Sequence, residues 1–240
     1  MHAIAASKAK YFARANHYDQ LDSRRIHPEE LRLIDNLLLS DKANINDRMT
    51  ILITILSGRS IENIRKFPAS IMCENSGAIS LQLTINKPKI KEHPGCIQTD
   101  DTILSPIPGR WLPVIEQFHS NKMDIRTLAA NRTTNGINRI LKAHIKDHKI
   151  SATKLHRVLS LALLDCTQDE GISSLFADHL TAISSTKNHY ICIGKNAAAS
   201  YLIEAWTKVI SAIDDDKSIH IPCPQDGHIG SANVPNTDSL

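Results

Sequence analysis

Ala78-Ile79-Ser80-Leu81-Gln82-Leu83-Thr84-Ile85-Asn86 alternates apolar and polar residues along its whole length. That is the period of a strand with one face on a core. The reading decides the fold because the pattern on either side is different: upstream and downstream, apolar residues return every three or four positions. Lys87-Pro88-Lys89-Ile90-Lys91 follows as a basic turn, and Thr102-Ile103-Leu104 supplies a partner strand. The chain is therefore expected to be mainly α with a small antiparallel β-insert, an α+β class. It shows no regular strand–helix alternation, no Gly-rich phosphate loop and no internal repeat.

Working outward from the insert, His27-Pro28-Glu29-Glu30 reads as a helix start, with proline in the first turn and acids favoured by the dipole. Leu31, Leu33, Ile34, Leu37 and Leu38 form its apolar stripe. Asn46-Asp47 caps a second helix that runs to Leu56 and stops at Ser57-Gly58, and a short third helix covers about 60–66 before Pro68. Beyond Pro108-Gly109, helices are predicted over 111–119, 124–130, 135–147, 152–165, 170–178, 183–189 and 196–213. Residues 1–27 read as an arm or linker and 28–213 as one domain. Residues 214–240, polar and rich in Pro and Gly, are expected to form a flexible tail.

Composition narrows the function classes. The 240 residues suffice for a substantial core, and with only 4% aromatic residues that core must be Leu, Ile, Ala and Val. The longest apolar stretch, Met49 to Leu56, is far short of the ~18 residues of a membrane span. Residues 1–8 lack the apolar region of a secretory signal, which gives a cytoplasmic expectation and no membrane partner. Five cysteines without a C-x-x-C pair read as free thiols, and the spacings around Cys96 and Cys223 do not fit a structural zinc site. The net charge of +3 is uneven: residues 205–240 hold two Lys and five Asp, so the excess of cations lies before them. That distribution is compatible with a nucleic-acid partner.

Two segments carry candidate chemistry. In the first, Leu56-Ser57-Gly58-Arg59-Ser60-Ile61-Glu62, Arg59 and Glu62 sit three apart, a spacing at which a carboxylate orients a guanidinium. In the second, Lys154 and Arg157 share a helical face at the start of an apolar helix, where the dipole disfavours two cations unless an anion is near. His179 follows Arg157 by 22 residues and Tyr190 by 33, after the run Ser184-Ser185-Thr186-Lys187-Asn188. His189 is an alternative imidazole. Read one by one, these residues are a surface ion pair, a solvated helix face and packing side chains.

Taken in order, the set of arginine, Lys-x-x-Arg, histidine and late tyrosine resembles the catalytic series of the tyrosine recombinases, the phage-integrase family. The 98-residue separation of Arg59 and Arg157 is similar to the family's own. The first box departs from the family pattern in having Gly58 directly before Arg59. The second departs in having Ala177-Asp178 before the histidine and an 11-residue gap from His179 to Tyr190. The family also places a lysine on a β-hairpin between the boxes. Lys87, Lys89 and Lys91 all qualify, Lys87 first because it directly follows the strand.

The resemblance covers 28–213 and implies a recombinase catalytic domain acting on double-stranded DNA. Arg59 and Arg157 would hold the phosphate and Tyr190 would attack it to form a 3′-phosphotyrosine. Lys87 would protonate the leaving oxygen, assisted by Lys154 and His179. It implies no metal and no cofactor, and a nucleoid-associated location. Family members carry an N-terminal clamp domain that the first 27 residues are too few to form. The expectation is then a homo-oligomer on DNA, a fragment, or a partner that supplies the clamp. The alternative is a catalytically weak DNA-binding or regulatory protein of the same fold.

Overall fold

The computed structural model describes residues 25–73, 79–85, 96–146, 149–177 and 191–231. Helix α1 (Pro28–Leu39) begins at His27, whose backbone N–H donates to the Glu30 carboxylate at 3.0 Å, and buries Leu31, Ile34, Leu37 and Leu38. Helix α2 (Ile45–Ser57) starts on the Asn44 side chain, which accepts from the Asp47 N–H at 2.8 Å. From Arg48 to Ser57 every residue of α2 is buried, so this helix is the hub of the fold rather than a surface helix. Its polar residues survive there because Thr50, Thr54 and Ser57 each donate to the carbonyl four residues back, at 2.6, 2.8 and 2.6 Å.

Helix α3 (Ile61–Lys66) leads into a three-stranded antiparallel sheet of β1 (Ala69–Cys73), β2 (Ile79–Thr84) and β3 (Thr102–Ser105), in that spatial order. Leu83 stands opposite Ala69 on one side and Ile103 on the other. The alternating stretch is therefore the central strand, with Leu81 and Leu83 buried, and its partner at 102–105 is the expected one. The edge strand β1 was not expected: Ser70-Ile71-Met72-Cys73 lacks alternation, and its pairing comes from the neighbour rather than from its own pattern.

After β4 (Ile107–Pro108) come α4 (Leu112–Ser120), α5 (Ile125–Ala130), α6 (Thr134–His144), α7 (Ala152–Thr167) and α8 (Glu170–Phe176). Strand β5 (Cys192–Gly194) and helix α9 (Lys195–Ser211) follow. Helix α7 lies between α2 and α9, and Trp206 of α9 meets Trp111 edge to face at 5.9 Å, both rings fully buried. Such pairs supply core volume that a chain so poor in aromatics must otherwise find in aliphatics. The expected class, mainly helical with small antiparallel sheets, is the observed one.

One expectation is corrected. The polar segment after 213 is not a loose tail through 231, because its backbone finds partners. Strand β6 (Ile219–His220) pairs with β4, and β7 (His228–Gly230) pairs with β5. Between them, the Gln225 side chain accepts from the Leu104 N–H at 2.6 Å and donates to its carbonyl at 2.9 Å, standing in for a further strand beside β3. Gly230, at φ +109°, passes so close to the Ile191 carbonyl that a Cβ there would collide with it. Composition pointed to disorder, and tertiary pairing overrode it. The predicted helix at 183–189 lies outside the described residues.

Candidate functional site

Helix α2 ends at Gly58, which adopts the left-handed conformation (φ +63°) and turns the chain sharply into Arg59. The site is crowded. A Cβ on Gly58 would stand 2.8 Å from the Ala177 Cβ and 3.2 Å from the Leu159 Cβ. Glycine is needed here for both its φ and its lack of a side chain. Three segments therefore converge at this glycine: the α2–α3 turn with Arg59, helix α7 two residues past Arg157, and the end of α8 two residues before His179.

Arg59 is only 2% exposed. Its Nη1 donates to the Phe67 carbonyl at 3.2 Å and its guanidinium carbon lies 5.2 Å from the centre of the Phe67 ring. A cation on an aromatic face with one donor fixed is an oriented group rather than a floating one. The orienting carboxylate expected from Glu62 is not what positions it. The hydrogen bonds that Glu62 accepts come from the N–H (3.0 Å) and hydroxyl (2.9 and 2.7 Å) of Thr134 at the start of α6. Burial pushes the Glu62 carboxyl up, and the Thr134 bonds outweigh it, so the group ends below its ordinary value. Arg59 lies ahead of the Ser60 cap, outside the helix that carries Glu62, so the two do not share a helical face, and the unfilled N–H groups of α6 captured the carboxylate.

Lys154 is buried, with its Nζ held by both oxygens of Glu30 at 2.8 and 3.0 Å. This bridge joins the first turn of α7 to the first turn of α1 and supplies the anion that a cation at a helix N-terminus requires. Burial raises the Glu30 carboxyl; the bonds from Lys154 and the His27 N–H, with their charges, bring it below its ordinary value. Arg157, one turn further along α7, is half-buried, and among the described residues its Nε has no hydrogen-bond partner. A buried guanidinium nitrogen left open is unusual and costly unless an acceptor completes it.

Lys87, with its alternatives Lys89 and Lys91, lies outside the described residues, as do His179, His189 and Tyr190. What the structure describes is how the segment holding the last three is anchored. It leaves from Ala177, against Gly58. It returns at Ile191, whose side chain covers Gly171 on α8 and whose carbonyl accepts from the Ser231 N–H at 2.6 Å. Gly171 and Ala177 are about 9 Å apart by helical rise. Both ends of the segment thus rest on one short helix beside Arg59.

Glu30 is the residue that sequence reasoning assigned to the helix dipole alone; its place three after His27 was the available signal for a capping role, and its pairing with Lys154 had none. Among the described residues no group of three or more His, Cys, Asp or Glu is placed to hold a metal ion, and no helix is long and apolar enough to cross a membrane. Compared with models of known protein families, with characterised proteins and with solved structures, the chain finds no match.

Proposed function

We propose that this chain is the catalytic domain of a DNA strand-cleaving and rejoining protein of the tyrosine-recombinase kind. The observation that carries the reading is the convergence at Gly58. Residues 98 apart in the chain, Arg59 and Arg157, stand on segments that meet there, and the segment bearing His179 and Tyr190 starts from the same point. A phosphate clamp needs these segments close together, and their meeting at Gly58 supports the reading at the level of the backbone; Arg157, two residues from Leu159, leaves α7 on another face.

In this reading, the two guanidiniums hold the non-bridging oxygens of a DNA phosphodiester and stabilise charge as the pentacovalent state forms. The Tyr190 oxygen attacks phosphorus, the 5′-oxygen leaves, and Lys87 gives it a proton. The phosphotyrosine keeps the bond energy, so a 5′-hydroxyl of another strand reverses the step. His179 assists proton transfer. Double-stranded DNA is the partner, bound by a homo-oligomer or together with a protein that supplies the clamp.

One observation favours the second reading, a DNA-binding protein with little catalysis: the Lys154 ammonium is buried and held by both oxygens of Glu30. A suicide-substrate assay separates them. Nicked or half-site duplex DNA is incubated with the protein and with Tyr190→Phe, then run on a denaturing gel. A covalent adduct absent from the variant supports the cleaving reading. DNA binding without an adduct moves the function to the second reading, and the absence of both removes each.

A further inference from the structure

Away from the convergence at Gly58, a thiol and an imidazole meet at the end of the edge strand. Cys73 Sγ, the last residue of β1, lies 3.1 Å from Nε2 of His119 in the last turn of α4. The contact spans 46 residues, Cys73 is exposed and His119 half-buried, so chain proximity does not force it. The sulfur also differs from other thiols of the chain. Cys73 is exposed and touches an imidazole nitrogen, whereas Cys166 and Cys192 are partly buried. Beside the pair is a cleft of about 370 Å³ whose polar lining is His119, Ser70, Lys122 and Asp124; the Asp124 carboxylate is engaged at the start of α5, where it accepts from the Thr127 N–H and hydroxyl at 2.9 and 3.1 Å. The Ser70 hydroxyl is already bonded to Gln82, which leaves the exposed Lys122 ammonium as its free cation among the described residues.

We propose that Cys73 and His119 form a thiol-exchange site for a small disulfide bearing carboxylates, such as a tripeptide disulfide, whose body occupies the cleft with a carboxylate on Lys122. As the Cys73 sulfur attacks, its proton passes to His119 Nε2. A Cys73–sulfur bond forms while the disulfide's own S–S bond breaks, and the departing thiolate takes the proton from the imidazolium. One protein thiol and one disulfide give one mixed disulfide and one free thiol, with no further oxidant. The product puts a bulky, charged group at the end of β1, on the outer edge of the three-stranded sheet. The site is independent of the DNA reading above and stands or falls without it.

The test uses the full chain, with oxidised glutathione and the neutral bis(2-hydroxyethyl) disulfide as probes and peptide mass spectrometry to assign each modified cysteine. Cys73 is expected to react with glutathione disulfide about tenfold or more faster than the equally exposed Cys223. His119→Gln is expected to bring Cys73 down to the Cys223 rate with both probes. Lys122→Ala is expected to slow glutathione disulfide alone. Equal rates at Cys73 and Cys223 in the unaltered protein overturn the proposal without any variant. An unchanged Cys73 rate in His119→Gln removes the imidazole's role, and an unchanged glutathione rate in Lys122→Ala removes the cleft's.

Discussion

Replacing Gly58 by alanine probes the convergence directly, and its cost follows from two independent terms. The residue sits at φ +63°, where an L side chain costs roughly 1–2 kcal/mol. The new Cβ would stand 2.8 Å from the Ala177 Cβ and 3.2 Å from the Leu159 Cβ. Neither neighbour is the far end of a flexible chain, so the relief must come from moving α7 or α8, and overpacking of that kind costs about 1–3 kcal/mol. The sum, about 2–5 kcal/mol, is a large part of the ~5–15 kcal/mol that holds a domain together. In urea unfolding followed by circular dichroism, the midpoint should fall by about 1 M. Gly136→Ala is the internal control: its φ is ordinary and its Cβ would meet only the Thr133 hydroxyl at 3.4 Å. There, alanine should be neutral or stabilising by up to about 1 kcal/mol. If Gly58→Ala unfolds within about 0.2 M of the parent, the three segments do not meet as described and the argument for a shared site loses its support.

Other consequences are open to the same kind of measurement. Because the Glu30 carboxyl lies below its ordinary 4.5 in the fold, its contribution is whole above that value and fades as pH falls through the folded one. Lys154→Met removes the main cause, so the stability difference between about pH 7 and about pH 3 should shrink; an unchanged difference would show that the pair is not felt. Asp35, 2% exposed, accepts from Trp111 Nε1 at 2.8 Å and from Arg110 at 2.6 Å. Asp35→Ala should cost about 3 kcal/mol and shift tryptophan emission, while Asp35→Asn, which keeps an acceptor for the indole, should lose less. Gln225→Ala removes both bonds to the Leu104 backbone and should cost about 1–2 kcal/mol. Faster amide exchange at Leu104 is the specific sign, and unchanged exchange would mean the side chain does not act as a strand.

The helices were legible because their signals are local. Asn44, Ser60, Asp124, Ser151 and Asp169 each accept a backbone N–H at a helix start; for α2 the reading placed the cap two residues late, on Asn46-Asp47, which lie inside the first turn. The central strand was legible for the same reason, its period being written in nine consecutive residues. Edge strand β1 and the pairings of 219–220 and 228–230 were not, since each depends on a partner distant in the chain. At the candidate site, sequence located Arg59 and Arg157 on segments that prove to be neighbours. It misassigned the carboxylates, giving Glu62 to Arg59 and leaving Glu30 without a partner. Both choices turn on which helix end lies within reach, and only the packed structure contains that information.

The pairing of β7 with β5 also sets an order of events during synthesis. Helices α1 to α8 contain the hub and most of its neighbours, and they leave the ribosome before residue 191 does. The carbonyl of Ile191, the neighbour of Tyr190, accepts from the N–H of Ser231, forty residues later. A nascent chain therefore holds the hub helix and both arginines before α9 completes the core and before the flank of the candidate nucleophile is fastened. Whatever residue 190 does, the described flank at Ile191 gains this bond only once residue 231 has been made, after the helices that carry both arginines.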